Sequence, residues 1–152
     1  MPFSDKVKAA SEISGTKPWE NLSLQDALVI IAMDAIRLDP AAKDAQKVGR
    51  IADLAKEHPL FSEKTADIAA RIRRVAKSTD MAHLPRAVDQ AVKSLTLEFR
   101  QTAFEWAARL AVDRGSLPEE KQEIVDQLRQ KLFIDAHSAH KIISEAIAES
   151  AD

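Results

Sequence analysis

The stretch LSLQDALVIIAMDAIRLDP, Leu22 to Pro40, decides the fold class. From Ala27 to Met33 it is apolar at every position. A helix that is apolar on all faces belongs in the middle of a bundle, because any face left in water would forfeit burial. Ser23 is placed as an N-cap, with Asp26 three residues on, for a helix running to about Leu38. Asp39-Pro40 stops that helix and starts the next, with Asp39 as N-cap and Pro40 at the first helical position. Seven apolar residues fall far short of the ~20 needed to span a bilayer.

A second stretch, nearly as apolar, lies further on. Ala103–Val112 carries Phe104, Trp106, Ala107, Ala108, Leu110 and Val112. The helix that holds it is predicted over Leu97–Val112 with Thr96 as N-cap, and it pairs centrally with Asp26–Leu38. Around this pair, apolar residues recur at helical spacing and period-2 alternation is nearly absent. The helix opened by Pro40 ends near Glu57, at His58-Pro59. Ser62 caps a helix from Glu63 to about Lys77. Pro85 opens one that reaches Lys93, separate from the one at Leu97. Ser116 with Glu119 reads as a capping box, with Pro118 just inside a helix to Lys131. Asp135 caps Ala136–Glu149. The expectation is an all-α, single-domain bundle of seven or eight helices over residues 1–152. Residues 1–21 form an N-terminal extension with a short helix over Ser4–Ser11, and 22–149 form the core. Trp19 and Trp106 are expected in the core.

Composition narrows the function classes. At 152 residues the chain can bury roughly 68–70% of its unfolded surface without staples. It has no cysteine, which removes disulfides, thiolate metal sites and cysteine nucleophiles. Three glycines are too few for a Gly-rich phosphate loop. With 22 basic and 24 acidic residues, the net charge of −2 lacks the broad basic field of a nucleic-acid binder. Met1 to Gly15 is charged and lacks the apolar core of a signal peptide, so a cytoplasmic location is expected, with peripheral membrane contact left open. No nucleophile elbow, His-Glu-x-x-His or P-loop occurs, and no enzymatic activity is expected.

The two central helices each end in an aspartate, Asp39 and Asp113, which lie 74 positions apart. At that offset Ile36 matches Leu110, Ile51 matches Val125, Leu54 matches Leu128 and Leu60 matches Ile134, whereas Ile31 falls on Glu105 and Val48 on Gln122. This is a weak two-fold repeat. On the stretches Leu22–Phe61 and Phe104–Asp135, the sequence resembles the TerB-like tellurite-resistance family. Its members have two related helical halves, in each of which a buried Ala-rich helix ends in Asp-Gly before an acidic helix start. Asp113, Gly115, Leu117, Glu119 and Glu120 follow that order, with Arg114 inserted. In the first half Pro40 replaces the glycine, and Asp44 is the acid nearest the place of the glutamates. The resemblance implies a non-enzymatic stress-response module that acts through acidic surfaces on partner proteins, with a divalent cation associated.

Several residues are then candidates for chemistry. Asp39, Asp44, Asp113, Glu119 and Glu120 offer the oxygen ligands that Ca²⁺ or another divalent cation prefers. The competing reading is that acids at a helix start simply complement its dipole. Asp34 interrupts the most apolar helix and needs a partner, for which Arg37 and Arg109 are available. His137 and His140, spaced i, i+3, share a helix face but lack an evident third ligand. His58 is expected to cap a helix C-terminus. Arg71, Arg73, Arg74, Lys77 and Lys64 make a basic patch suited to an acidic protein or an anionic lipid surface. Without interleaved aromatics, this patch does not suit base stacking, and no nucleic-acid partner is expected.

Overall fold

A computed structural model describes residues 22–37, 45–79 and 83–151. Seven helices follow in chain order: α1 Leu24–Ile36, α2 Ala45–Glu57, α3 Thr65–Ser78, α4 Leu84–Ser94, α5 Leu97–Ala111, α6 Glu119–Lys131 and α7 Ala136–Ser150. There is no strand among the described residues. The stretch expected to hold a short helix at Ser4–Ser11, together with Trp19, Asp39, Pro40 and Asp44, lies outside the described residues.

The two apolar helices form the centre. Every residue of α1 from Ala27 to Ile36 is buried except Asp34. Its largest side chains, Leu28, Ile30 and Ile31, have no exposed surface. Each such side chain contributes roughly 1.5–3 kcal/mol of transfer free energy. α1 packs mainly against α5 and α4, and α5 packs in turn against α7 and α6. α2 and α3 form a pair that closes another side of α1. These outer helices are amphipathic. Val48, Ile51, Ala52, Leu54 and Ala55 are the buried face of α2, and Leu84, Ala87, Val88, Ala91 and Val92 that of α4. Trp106 is buried on α5, with the rings of His58 and Phe61 at 6.4 and 5.8 Å.

The ends of the helices show which local signals hold. The Ser23 hydroxyl accepts from the Asp26 N–H at 3.1 Å, and Asp135 Oδ2 accepts from the Ser138 N–H at 3.4 Å. Both caps act as predicted. Leu95 and Thr96 are extended and separate α4 from α5. Three expectations fail at the ends of α2, α3 and α5. Ser62 does not cap α3, which starts at Thr65 behind Lys64 with no side-chain cap bond. Thr96 holds the N-cap position of α5, but its hydroxyl makes no cap bond. His58 does not cap α2 through its side chain. Its Nδ1 accepts from the Leu60 N–H at 3.1 Å, and its ring packs on Phe99 and Trp106.

Between α6 and α7 the chain turns through Phe133, at φ 58°. The Ile134 N–H reaches back to the Arg129 carbonyl at 3.0 Å, closing the helix end in the manner of a Schellman turn. Glycine or asparagine is usual at such a left-handed position. Phe133 is instead 75% exposed, with the Arg100 guanidinium 5.4 Å from its ring centre.

Candidate functional site

The loop after α5 is a tight turn. Val112 is extended, and Asp113 and Ser116 then exchange two backbone hydrogen bonds: Asp113 N–H to Ser116 O at 2.8 Å and Ser116 N–H to Asp113 O at 3.1 Å. The two residues between them, Arg114 and Gly115, both have positive φ, 47° and 84°. Positive φ at both central positions marks the primed turns that join antiparallel segments. This geometry accounts for Arg114, the residue inserted into the Asp-Gly order, because a two-residue turn needs both positions. The turn is docked on the end of the last helix. The Gly115 N–H donates to Ser150 Oγ at 2.9 Å, and a Cβ on Gly115 would lie 3.2 Å from that of Ala151.

The turn also overturns the capping box. Ser116 spends its backbone on Asp113, and its hydroxyl donates to the Asp113 carbonyl at 3.2 Å. Pro118 therefore occupies the N-cap position of α6, and no side chain caps that end. Glu119 and Glu120 stand exposed in the first turn, where they complement the helix dipole.

Beside these acids the structure gathers cations that sequence reasoning missed. Lys121 Nζ reaches the Ala35 carbonyl at 3.5 Å, and Lys47 Nζ donates to the Arg37 carbonyl at 3.2 Å. Arg50 donates to the Arg109 carbonyl at 3.2 Å. The C-terminal ends of both central helices are thus satisfied by basic side chains, as free carbonyls and the negative dipole end demand. The available signal was Lys47 and Arg50 at i, i+3 on one helix face, directly after the first central helix. Burial, followed by the charges of Lys47 and Arg37, pushes the Lys121 ammonium below its ordinary pKa; Glu120 opposes this. A cation arriving at Glu120 meets this same positive surround.

Asp34 finds the first of its two expected partners. Its carboxylate lies 3.3 Å from the Arg37 guanidinium, while Arg109 pairs instead with Glu57 at 3.3 Å and Glu149 at 3.6 Å. Burial raises the Asp34 pKa, and Arg37, Lys131 and Lys121 partly offset that rise.

Of the five predicted cation ligands, Asp113, Glu119 and Glu120 are described and Asp39 and Asp44 are not. No group of three or more histidine, aspartate or glutamate side chains that could hold a metal ion is found among the described residues. No family model matches the chain, and neither a curated protein nor a solved structure matches it.

The basic patch of α3 is partly consumed. Arg71 donates to Asp26 at 2.9 Å and to both oxygens of Glu63 at 3.2 Å, and Arg74 reaches Asp26 at 3.4 Å. These two arginines tie α3 to the start of α1, leaving Lys64, Arg73 and Lys77 as the other exposed members of the patch. His137 and His140 are exposed on α7. Further along, α5 and α7 enclose a shallow groove of about 170 Å³ with Ile142 and Ala146 as its apolar floor. Glu105, Glu145 and Glu149 line it together with Arg109. No helix among the described residues is long and apolar enough to cross a membrane.

Proposed function

We propose that this chain is a non-enzymatic stress-response module, resembling the TerB-like tellurite-resistance proteins, that acts in the cytoplasm through an acidic surface on basic segments of partner proteins. The observation that carries this reading is the groove between α5 and α7, in which three glutamates rim an apolar floor around a single arginine. A basic side chain with an aliphatic stem suits such a groove, since the stem covers the floor while the head meets the rim. Support for the resemblance comes from the spacing of elements. Shifted by 74 positions, α2 falls on α6 at both ends.

The test is genetic and physical together. A strain lacking the gene should lose resistance to tellurite and recover it with the wild-type chain, but not with Glu105→Lys/Glu145→Lys. A photo-crosslinker at Gln101, exposed one turn before Glu105, should trap a protein from the wild-type background that it no longer traps in the double-variant background. Recovery by the double variant, with the crosslink retained, would sink the reading.

A divalent cation at Asp39, Asp44, Asp113, Glu119 and Glu120 forms part of this proposal. Its rival is an ion-independent protein–protein scaffold, favoured by the cations gathered around Lys121. Calorimetric titration with Ca²⁺, Mg²⁺ and Zn²⁺ separates the two: heat lost in Asp113→Asn supports the cation, and a flat trace supports the scaffold.

A further inference from the structure

We infer that the cleft between α2, the end of α5 and the start of α6 binds a small oxyanion, either free phosphate or the head of a phosphate monoester. The cleft encloses about 340 Å³ and is lined by Lys47, Arg50 and Lys121, with Ile36, Leu110 and Val112 among its apolar walls. Arg37 and Lys121 line the adjoining cavity, with Glu120 and Glu123. Low-dielectric walls focus the field of such a cluster into the cleft.

Donor accounting points the same way. A guanidinium carries five N–H donors and an ammonium three. In the described contacts Arg50 gives one to the Arg109 carbonyl, and Lys121 gives one to the Ala35 carbonyl. Their carbonyl anchors fix where the heads sit, so little side-chain freedom remains to be lost when an anion arrives. Two carboxylates, Asp113 and Glu120, face the same cleft. Against them stand Lys47, Arg50 and Lys121, so the lining keeps a surplus of one positive charge. The site lies outside the acidic groove; it shares Asp113 and Glu120 with the proposed cation site but needs no cation there.

The experiment is a titration of the full chain at low ionic strength, followed by amide chemical shifts. The probes are inorganic phosphate and a phosphoserine tripeptide, with sodium chloride at matched ionic strength as the control. Saturating shifts at α2 and at the start of α6 are expected, weakened about tenfold in Arg50→Gln and in Lys121→Met and unchanged in Arg73→Gln. Arg50 is exposed, so Arg50→Gln keeps the test valid if Lys121→Met unfolds. Saturation by inorganic phosphate assigns the free anion, and saturation by the tripeptide alone assigns the ester. Shifts no different from those of chloride, or equal affinity in Arg50→Gln, overturn the inference.

Discussion

Replacing Gly115 by alanine should lower the stability of the whole domain by about 1 kcal/mol. The figure is a balance of three terms. An L-residue at φ 84° pays roughly 1–2 kcal/mol for the left-handed conformation. The added Cβ sits 3.2 Å from the Cβ of Ala151, close enough that the end of α7 must give by a few tenths of an ångström. Against these, alanine restricts the unfolded chain and returns about 0.4–1 kcal/mol. For a domain of this size, 1 kcal/mol corresponds to a fall of roughly 2–4 °C in Tm. Urea unfolding followed by circular dichroism measures the loss directly. Arg114→Gly is the matching control. It removes a side chain from the other positive-φ position and should be neutral or stabilising. A Gly115→Ala chain as stable as the wild type would refute the turn as drawn.

Three other substitutions probe separate parts of the bundle. Arg71→Met should cost about 1–2 kcal/mol, because it takes the arginine from part-buried Glu63 and leaves Asp26 only the longer Arg74 contact. In a double-mutant cycle with Asp26→Asn in urea, strict additivity would show that the ion pair contributes nothing. Ser23→Ala removes a cap seen in the structure and should cost about 1 kcal/mol by the same assay; an unchanged midpoint would count against it. Asp34→Asn concerns pH. The Asp34 pKa is raised on folding, so its ionised form penalises the fold above that value, and the penalty fades as pH falls toward the ordinary carboxylate value. The asparagine variant should therefore match or exceed the wild type at pH 7, with its advantage narrowing toward pH 4. A wild type that is the more stable at pH 7 would contradict the sign.

The architecture was legible because its strongest signal is one of hydrophobicity without a polar face. Ala27–Met33 had nowhere to go but the centre and is there, and Ala103–Val112 joins it except at Glu105 and Arg109, which reach the groove beside α7. Ser23 and Asp135 cap as predicted, each accepting from the N–H three residues on. Ser116 had the right spacing to Glu119 and still failed, since the turn at Arg114-Gly115 claims both its backbone and its hydroxyl. Propensity at one helix end says nothing about a turn closing just before it. The basic patch of α3 is only partly taken up, for a reason the sequence hides. One of the two carboxylates that hold Arg71 lies 45 residues earlier, a pairing that only the tertiary fold creates. The cations around Lys121 were hidden likewise, because their acceptors are carbonyls at the ends of other helices. At the candidate loop the sequence showed acids, whereas the positive charge beside them depends on which helix ends meet.

The enclosure of α1 has a consequence for synthesis. This helix lies early in the chain, while α5, one of its main packing partners, ends about 75 residues later. At translation rates of about 5–20 residues per second, the interval is roughly 4–15 s. Throughout it, of the described helices, the stretch from Ala27 to Ile36 can meet only α2, α3 and then α4. A strongly apolar segment thus waits several seconds for one of its main covers. That interval is time in which a ribosome-associated chaperone can act on it.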